Sequence, residues 1–354
     1  MTVPFTKYKA AVVQATPVFL NKDGSVEKTC KLIEEAGGNG ARLIVFPETF
    51  IPTYPYWIRD LLDREPCYEV FVQYFHNSIT VPGKEAEKLA ESAKKAGAWV
   101  VVGISEKEGG TLYNSNLFIS DKGEVLGTHR KVLPTFTERA VWGWGDGSTL
   151  HVFNTEIGKL GSLVCYEHHM PLIKFAMYSK GEQVHAACWP GLTISTHVAE
   201  AASRQYAFEG QTFVLSSAGI LAEETVPNDF ILKDQIRKAN GGSAIIDPFG
   251  LFLAGPIYDR EEILYAEIDL DRIIKAKYVV DSVGHYCRPD ITRLLLNEEK
   301  LNAVLSNLNK ETGLPEANIA LDQVSKNLME MSEHLKNIFK KLSNLTREEI
   351  MQLL

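Results

Sequence analysis

An α/β layered fold with a helical extension is what this sequence predicts, and three observations carry the expectation. From Tyr8 to Leu270, short β-branched runs alternate with helix-patterned stretches, the arithmetic of sheets covered by helices. Within Phe118–Arg130 two such runs turn around Asp121, Lys122 and Gly123, so part of the sheet is antiparallel and a purely parallel Rossmann sheet is disfavoured. After Pro289 the strand signals vanish, and Lys, Glu, Asn and Leu dominate to Leu354. The division expected is a main domain over residues 1–290 and a helical extension over 291–354.

Taken in order, the strand candidates are Lys9–Thr16, Ala41–Phe46, Ala98–Ser105, Leu112–Ser120, Lys159–Cys165, Gln183–Trp189 and Thr212–Ser216. Between the second and third, Lys84–Ala96 places Ala86, Leu89, Ala90, Ala93 and Ala96 on one face and stops at Gly97, which suits a left-handed helix end. In the extension, Pro315 can open a helix on which Leu321, Val324, Leu328, Met331, Leu335, Ile338 and Leu342 alternate steps of three and four. That heptad seam suits packing on its own domain and pairing between chains equally. Thr346 and Glu349 have the spacing of a capping box for a last short helix.

Composition excludes several classes of function. With 45% hydrophobic and 23% charged residues, the 354-residue chain has ample material for a core and is not predominantly disordered. A net charge of −8 disfavours a broad grip on nucleic acid or an anionic membrane. No apolar run approaches the roughly 18 residues of a spanning helix, and Met1–Lys9 lacks the apolar centre of a signal peptide. Cys30, Cys67, Cys165, Cys188 and Cys287 are an odd set without a CxxC pair, which fits reduced thiols in a cytoplasmic protein acting on a small molecule.

Three strand ends carry the chemistry. Cys165 closes the strand Gly161–Val164 ahead of a turn, where its thiol is exposed and neighbouring N–H groups are free to stabilise negative charge. Glu48 follows Leu43–Pro47, at the strand edge where α/β sheets bind ligands, and is a candidate general base. Lys131, in Arg130–Pro134, is a candidate electrophilic stabiliser. Singly each has an ordinary structural explanation, but a carboxylate, an ammonium and a thiol that each close a strand can converge on one reactive atom.

Phe46-Pro47-Glu48, Arg130-Lys131 and Cys165-Tyr166-Glu167 resemble, in the same order, the three motif regions of the nitrilase (carbon-nitrogen hydrolase) superfamily. Glu138–Gly147 and Asp281–Asp290 are similar to its nitrilase branch, and amidase branches are not similar there. The resemblance spans about Tyr8 to Asp290 and leaves the helical end uncovered. It implies an αββα sandwich without metal or cofactor, a Glu48-Lys131-Cys165 triad and a second functional glutamate at Glu138. It further implies an organic nitrile as substrate, turned into acid and ammonia through a thioimidate and a thioester on Cys165. Cyanide hydration and aliphatic amide hydrolysis are the alternatives within the superfamily, and a non-catalytic filament scaffold is the alternative outside it. Self-association into dimers and larger spiral or filamentous assemblies is also implied. Tyr166 stands where the branch usually carries Trp.

Tyr54, Trp57, Tyr166, His168, Trp142 and Trp189 are the expected substrate contacts, since aromatic side chains can line an apolar pocket. Gly143, Gly145 and Gly147 lack the preceding strand and following Lys-Ser/Thr of a phosphate loop. His168, His169, His185 and Cys188 match no common zinc spacing.

Overall fold

The computed structural model describes residues 6–58, 65–301, 328–330, 332–336 and 340. In chain order its elements begin β1 (Lys7–Gln14), α1 (Lys22–Gly38), β2 (Ala41–Val45), α2 (Glu65–Asn77), α3 (Lys84–Ala96), β3 (Trp99–Glu108), β4 (Thr111–Ile119) and β5 (Val125–Arg130). They continue with β6 (Val152–Thr155), β7 (Gly158–Val164), α4 (Pro171–Ser179), β8 (Val184–Trp189), α5 (Thr196–Gly210) and β9 (Phe213–Ala218). Then follow β10 (Ile220–Leu221), β11 (Ala239–Ile246), β12 (Phe252–Tyr258), β13 (Glu262–Asp269) and α6 (Asp271–Val279).

Two mixed sheets result. One runs β13-β1-β2-β3-β4-β5, with β1, β2 and β3 parallel to one another and the rest antiparallel. The other runs β10-β11-β9-β8-β7-β6, with β7, β8 and β9 parallel and β12 also paired to β11. Alternation along the strands sorts the side chains into layers. Ala10, Val12, Leu43, Val45 and Val101 of the first sheet meet Leu160, Val184, Ala186, Cys188 and Leu215 of the second in an apolar layer between the sheets. On the outer face of the first sheet, Ala11, Val13, Ile44, Val100 and Val102 pack under Val26 and Ile33 of α1 and Leu89 and Ala93 of α3. Met177, Tyr178, Ala202 and Tyr206 of α4 and α5 cover Leu163, Ala187 and Val214 on the outer face of the second. The order helix, sheet, sheet, helix is the sandwich the motifs implied.

Each strand candidate read from sequence is found, shifted by a few residues: Lys9–Thr16 is β1 and Gln183–Trp189 is β8. Lys84–Ala96 is α3, closed by Gly97 at φ 60°, a conformation that only glycine adopts without strain. The chain divides into two compact units, Met1–Lys300 and Leu301–Leu354. Of the heptad seam, Leu328 and Leu335 are helical and exposed, while Leu321, Val324, Met331, Ile338 and Leu342 lie outside the described residues, as do Thr346 and Glu349 of the capping-box spacing. Among the described residues no helix is long and apolar enough to cross a membrane.

Candidate active site

Glu48, Lys131 and Cys165 come together although two sheets supply them. Glu48 follows β2 and Lys131 follows β5, both of the first sheet, whereas Cys165 follows β7 of the second. β2 can deliver Glu48 close against β3 because position 103 is glycine. A Cβ there would lie 2.2 Å from the Pro47 carbonyl oxygen and 2.7 Å from Glu48 Cα. Cys165 opens a single tight helical turn, Cys165–His169, with φ 49°, a left-handed conformation uncommon for a residue other than glycine. Glu138 sits in a similar turn, Phe136–Ala140.

The charges interlock. Lys131 Nζ donates to Glu48 Oε1 at 2.9 Å and to Glu138 Oε2 at 2.7 Å, with all three side chains buried. Asn114 Nδ2 donates to the same Glu48 oxygen at 2.6 Å. Glu48 Oε2 has no hydrogen-bond partner among the described residues, so it is the oxygen free to take a proton. Glu138 Oε2 also accepts from the Thr135 N–H at 2.7 Å, and Oε1 accepts from the Tyr54 hydroxyl at 2.8 Å. Burial raises Glu48 to about 7, against the pull of Lys131, and so gives it a carboxylate suited to proton transfer near neutrality. Burial alone would lower Lys131, but the charges of Glu138 and Glu48 hold it well above its usual value and keep it an ammonium. Burial pushes the Cys165 thiol well above its usual range, so it rests protonated and needs a base. Carboxylate oxygens of Glu48 and Glu138 and the Cys165 sulfur lie within 4.8 Å of one another, a spacing that could hold a cation. The Lys131 ammonium, bonded to both carboxylates, already supplies positive charge at that point.

Above the thiol opens a cleft of about 330 Å³ whose lining includes Tyr54, Glu138, Cys165, Tyr166 and Trp189. Three of the expected contacts lie behind it instead. Trp57 and Trp142 are buried in an aromatic cluster with Phe19, Tyr56 and Tyr74, and Trp142 Nε1 donates to Ser105 Oγ at 3.1 Å. His168 is buried, bonded to the Cys165 carbonyl oxygen, and stacks on Trp189 with ring centres 4.7 Å apart. Sequence reasoning gave no place to Phe136, His169, Ile194 and Arg237, which line the cleft, because turns and loops without periodicity bring them there.

Glu167, which the sequence marks only as part of a motif, ties the two sheets together at the site. Oε1 accepts from the Val132 N–H at 2.8 Å and Oε2 from the Val164 N–H at 2.6 Å, N–H groups of the residues next to Lys131 and Cys165. His129 Nε2 is 2.9 Å from Oε2, and their attraction outweighs burial to lower the Glu167 pKa and raise that of His129.

A thiol with an adjacent base, a fixed ammonium and the Tyr166 N–H against the sulfur can form and hydrolyse an acyl or imidoyl enzyme. This is the equipment of a cysteine hydrolase, and sequence comparison gives the family. Residues 9–278 match the carbon-nitrogen hydrolase family, and the chain belongs to it. It is 41% identical to an aliphatic nitrilase of Sinorhizobium fredii (strain HH103) over 85% of this chain and 99% of that one. With a nitrilase of Bacillus sp. (strain OxB-1) it shares 40% identity over 82% of this chain and 88% of the relative. Nitrilase 2 of Arabidopsis thaliana is 41% identical, over 83% and 89%. Among solved structures, the carbon-nitrogen hydrolase of Helicobacter pylori G27 superposes with a TM-score of 0.66 over 80% of this chain and 96% of that one, at 23% identity. Saccharomyces cerevisiae Nit3 does so with 0.64 over 81% and 98%, at 21%. These two establish the fold.

Glu138→Gln is expected to lower turnover by at least about tenfold, roughly 1.4 kcal/mol, with little loss of stability. The amide must turn an N–H₂ either toward the Lys131 ammonium and Thr135 N–H or toward the Tyr54 hydroxyl, all of which donate to it now. Steady-state kinetics beside a thermal melt checks this. Wild-type turnover would reduce Glu138 to a structural anchor.

Proposed function

We propose that this protein is a nitrilase that converts an organic nitrile and two waters to a carboxylic acid and ammonia. The free Glu48 oxygen in the cluster with the Cys165 thiol is the observation that supports the reading most, with relatives called nitrilases at about 40% identity behind it. Glu48 takes the thiol proton as sulfur attacks the nitrile carbon, and the nitrogen is protonated to give a thioimidate. A first water, deprotonated by Glu48, adds to form a tetrahedral intermediate whose charge Lys131 and the Tyr166 N–H stabilise. Ammonia departs and leaves a thioester. A second water, activated in the same way, releases the acid and restores the thiol. Glu138 orients Lys131, and Tyr54, Tyr166 and Trp189 shape the wall against which the substrate lies. Nothing in these steps calls on a metal or cofactor.

Ammonia release from a panel of nitriles, amides and cyanide tests the assignment. Turnover of one or more nitriles in preference to the others is expected, climbing as pH passes through about 7, where Glu48 gives up its proton. Preferential turnover of amides or cyanide would move the chain to another activity of the family.

The reading extends to setting and assembly. Five unpaired cysteines suit a reducing cytoplasm. Exposed Leu172, Val198 and Phe208 on α4 and α5 give one sandwich face apolar patches with which to pair with a second copy. Residues 1–290 form the catalytic domain and 291–354 an extension that links dimers into larger, spiral or filamentous assemblies. The seam's seven apolar side chains, at about 1.5 to 3 kcal/mol each if fully buried, have ample energy for that. Truncation after Leu314 should therefore leave dimers or small oligomers with a folded core. Light scattering that finds the same mass before and after truncation would assign the seam to packing within one chain.

A further inference from the structure

Behind the nucleophile lies a line of buried polar groups that the hydrolysis does not use. Starting at Cys165, its carbonyl oxygen is 2.8 Å from His168 Nδ1, and His168 Nε2 is 2.9 Å from His185 Nε2. His185 Nδ1 is 2.8 Å from Glu182 Oε1, and the Tyr206 hydroxyl donates to Glu182 Oε2 at 2.6 Å. Every side chain in the line is buried. Room for Glu182 exists because residue 161 is glycine, where a Cβ would lie 2.0 Å from Oε1.

Proton counting fixes the direction of the line. A carbonyl oxygen only accepts, so His168 Nδ1 carries a hydrogen. With His168 neutral, its Nε2 accepts and His185 Nε2 must donate. A neutral His185 then presents a bare Nδ1, which requires a hydrogen from Glu182. The three links from Glu182 to Cys165 thus need three protons, whether the third rides on Glu182 or on His185. Removing it leaves two protons for three links. The remaining hydrogens satisfy the charged Glu182 end first, so the link left bare is the last, with two lone pairs facing each other at the Cys165 carbonyl. That carbonyl belongs to the residue held at φ 49°, a conformation the surrounding structure has to enforce.

We infer that Glu182, His185 and His168 are positioning residues, a three-proton tether that holds the Cys165 peptide in its working conformation and lets go at alkaline pH. Burial raises Glu182 to about 8 and depresses both histidines, in keeping with neutral imidazoles joined to a protonated carboxyl. The ionisable groups that face the tether are His129 from β5, Glu167 and His169 from the turn after β7, Tyr206 from α5 and, stacked on Tyr206, Tyr178 from α4. His129 and Glu167 are bonded to each other and offset one another's charge.

The inference rests on Cys165 being the nucleophile, and its test separates the two ideas. In the native enzyme kcat should rise through about pH 7 and break downward above about pH 8, with KM flat because the tether does not touch the cleft. Glu182→Ala should lower kcat at pH 7 at least tenfold. Glu182→Gln should restore most of that loss, because its amide donates to His185 and accepts from Tyr206, and should remove the break. An inactive Glu182→Gln, or one that keeps the native break, overturns the tether. If neither variant folds, Tyr206→Phe decides. Losing a hydrogen bond that favours the carboxylate should move the break to higher pH, and an unchanged or lowered break counts against the proposal. An enzyme that turns over none of the substrates sinks the nitrilase reading alone. The tether is then read from iodoacetamide alkylation of Cys165, whose rate should break above about pH 8 in the native protein and not in Glu182→Gln.

Discussion

Cys165→Ala is expected to abolish turnover, by at least about 10⁴-fold or roughly 5.5 kcal/mol of barrier, and to leave the fold in place. The proposed covalent route ends with the sulfur, and neither Glu48 nor Lys131 offers another nucleophile, since one is the proposed base and the other is held as an ammonium between two carboxylates. The stability cost is small because the thiol is half-buried at the wall of an open cleft, and alanine meets the same left-handed backbone that cysteine already occupies. Substantial residual hydrolysis would sink the mechanism. Intact-mass analysis of trapped native enzyme provides the complement: the adduct belongs on Cys165 and not on Cys30, Cys67, Cys188 or Cys287. Cys188 is fully buried between the sheets, and burial raises its thiol further from reactivity.

Lys131→Met is expected to cost both activity and stability. Glu48 and Glu138 would be left as buried carboxylates close together without the ammonium that bonds to both. Breaking a buried pair by removing one partner typically costs about 3 to 5 kcal/mol, because the stranded charge has neither water nor partner. The protein lowers that cost by protonating a carboxylate, which takes away the very base that the thiol needs. Turnover should fall at least about 10³-fold, some 4 kcal/mol, with a lower thermal midpoint. A variant that melts like the native protein would mean that Lys131 is not the keystone of this cluster.

Much of this arrangement was legible in the sequence because it sits where regular patterns stop. Glu48 and Cys165 each end an apolar run, and Lys131 ends the second strand of the turn around Asp121–Gly123, so their places on the sheets followed from strand assignment. The strands late in the chain were harder to read. β11 contains Gly241 and Gly242 and β12 contains Gly255 and Pro256, both in the second sheet, while β13, at the edge of the first, sets Glu262, Glu267 and Asp269 among its apolar residues, so none shows a plain β-branched run. Trp57 and Trp142 were misplaced for another reason. Aromatic composition cannot tell a pocket wall from the packing behind it, and their partners, Phe19, Tyr74 and Ser105, are far away in sequence. The tether was invisible as well, since nothing in the spacing of Glu182, His185 and Tyr206 says that a glycine on the neighbouring strand has cleared space for them.

Because the proposed base and the lysine belong to one sheet and the proposed nucleophile to the other, the gap across which the proton would travel is gauged by the thickness of the apolar layer between the sheets. Leu43, Val45, Leu160 and Ala186 do not line the cleft, yet they are the shim between the two halves of the proposed catalytic apparatus. Trimming or swelling that shim by a methyl group shifts reacting atoms that must meet within a few tenths of an ångström, and misplacement on that scale slows chemistry well before it unfolds a domain. Laboratory evolution of this enzyme would therefore find gains and losses in rate at residues deep in its middle layer, mistaken at first for changes in stability.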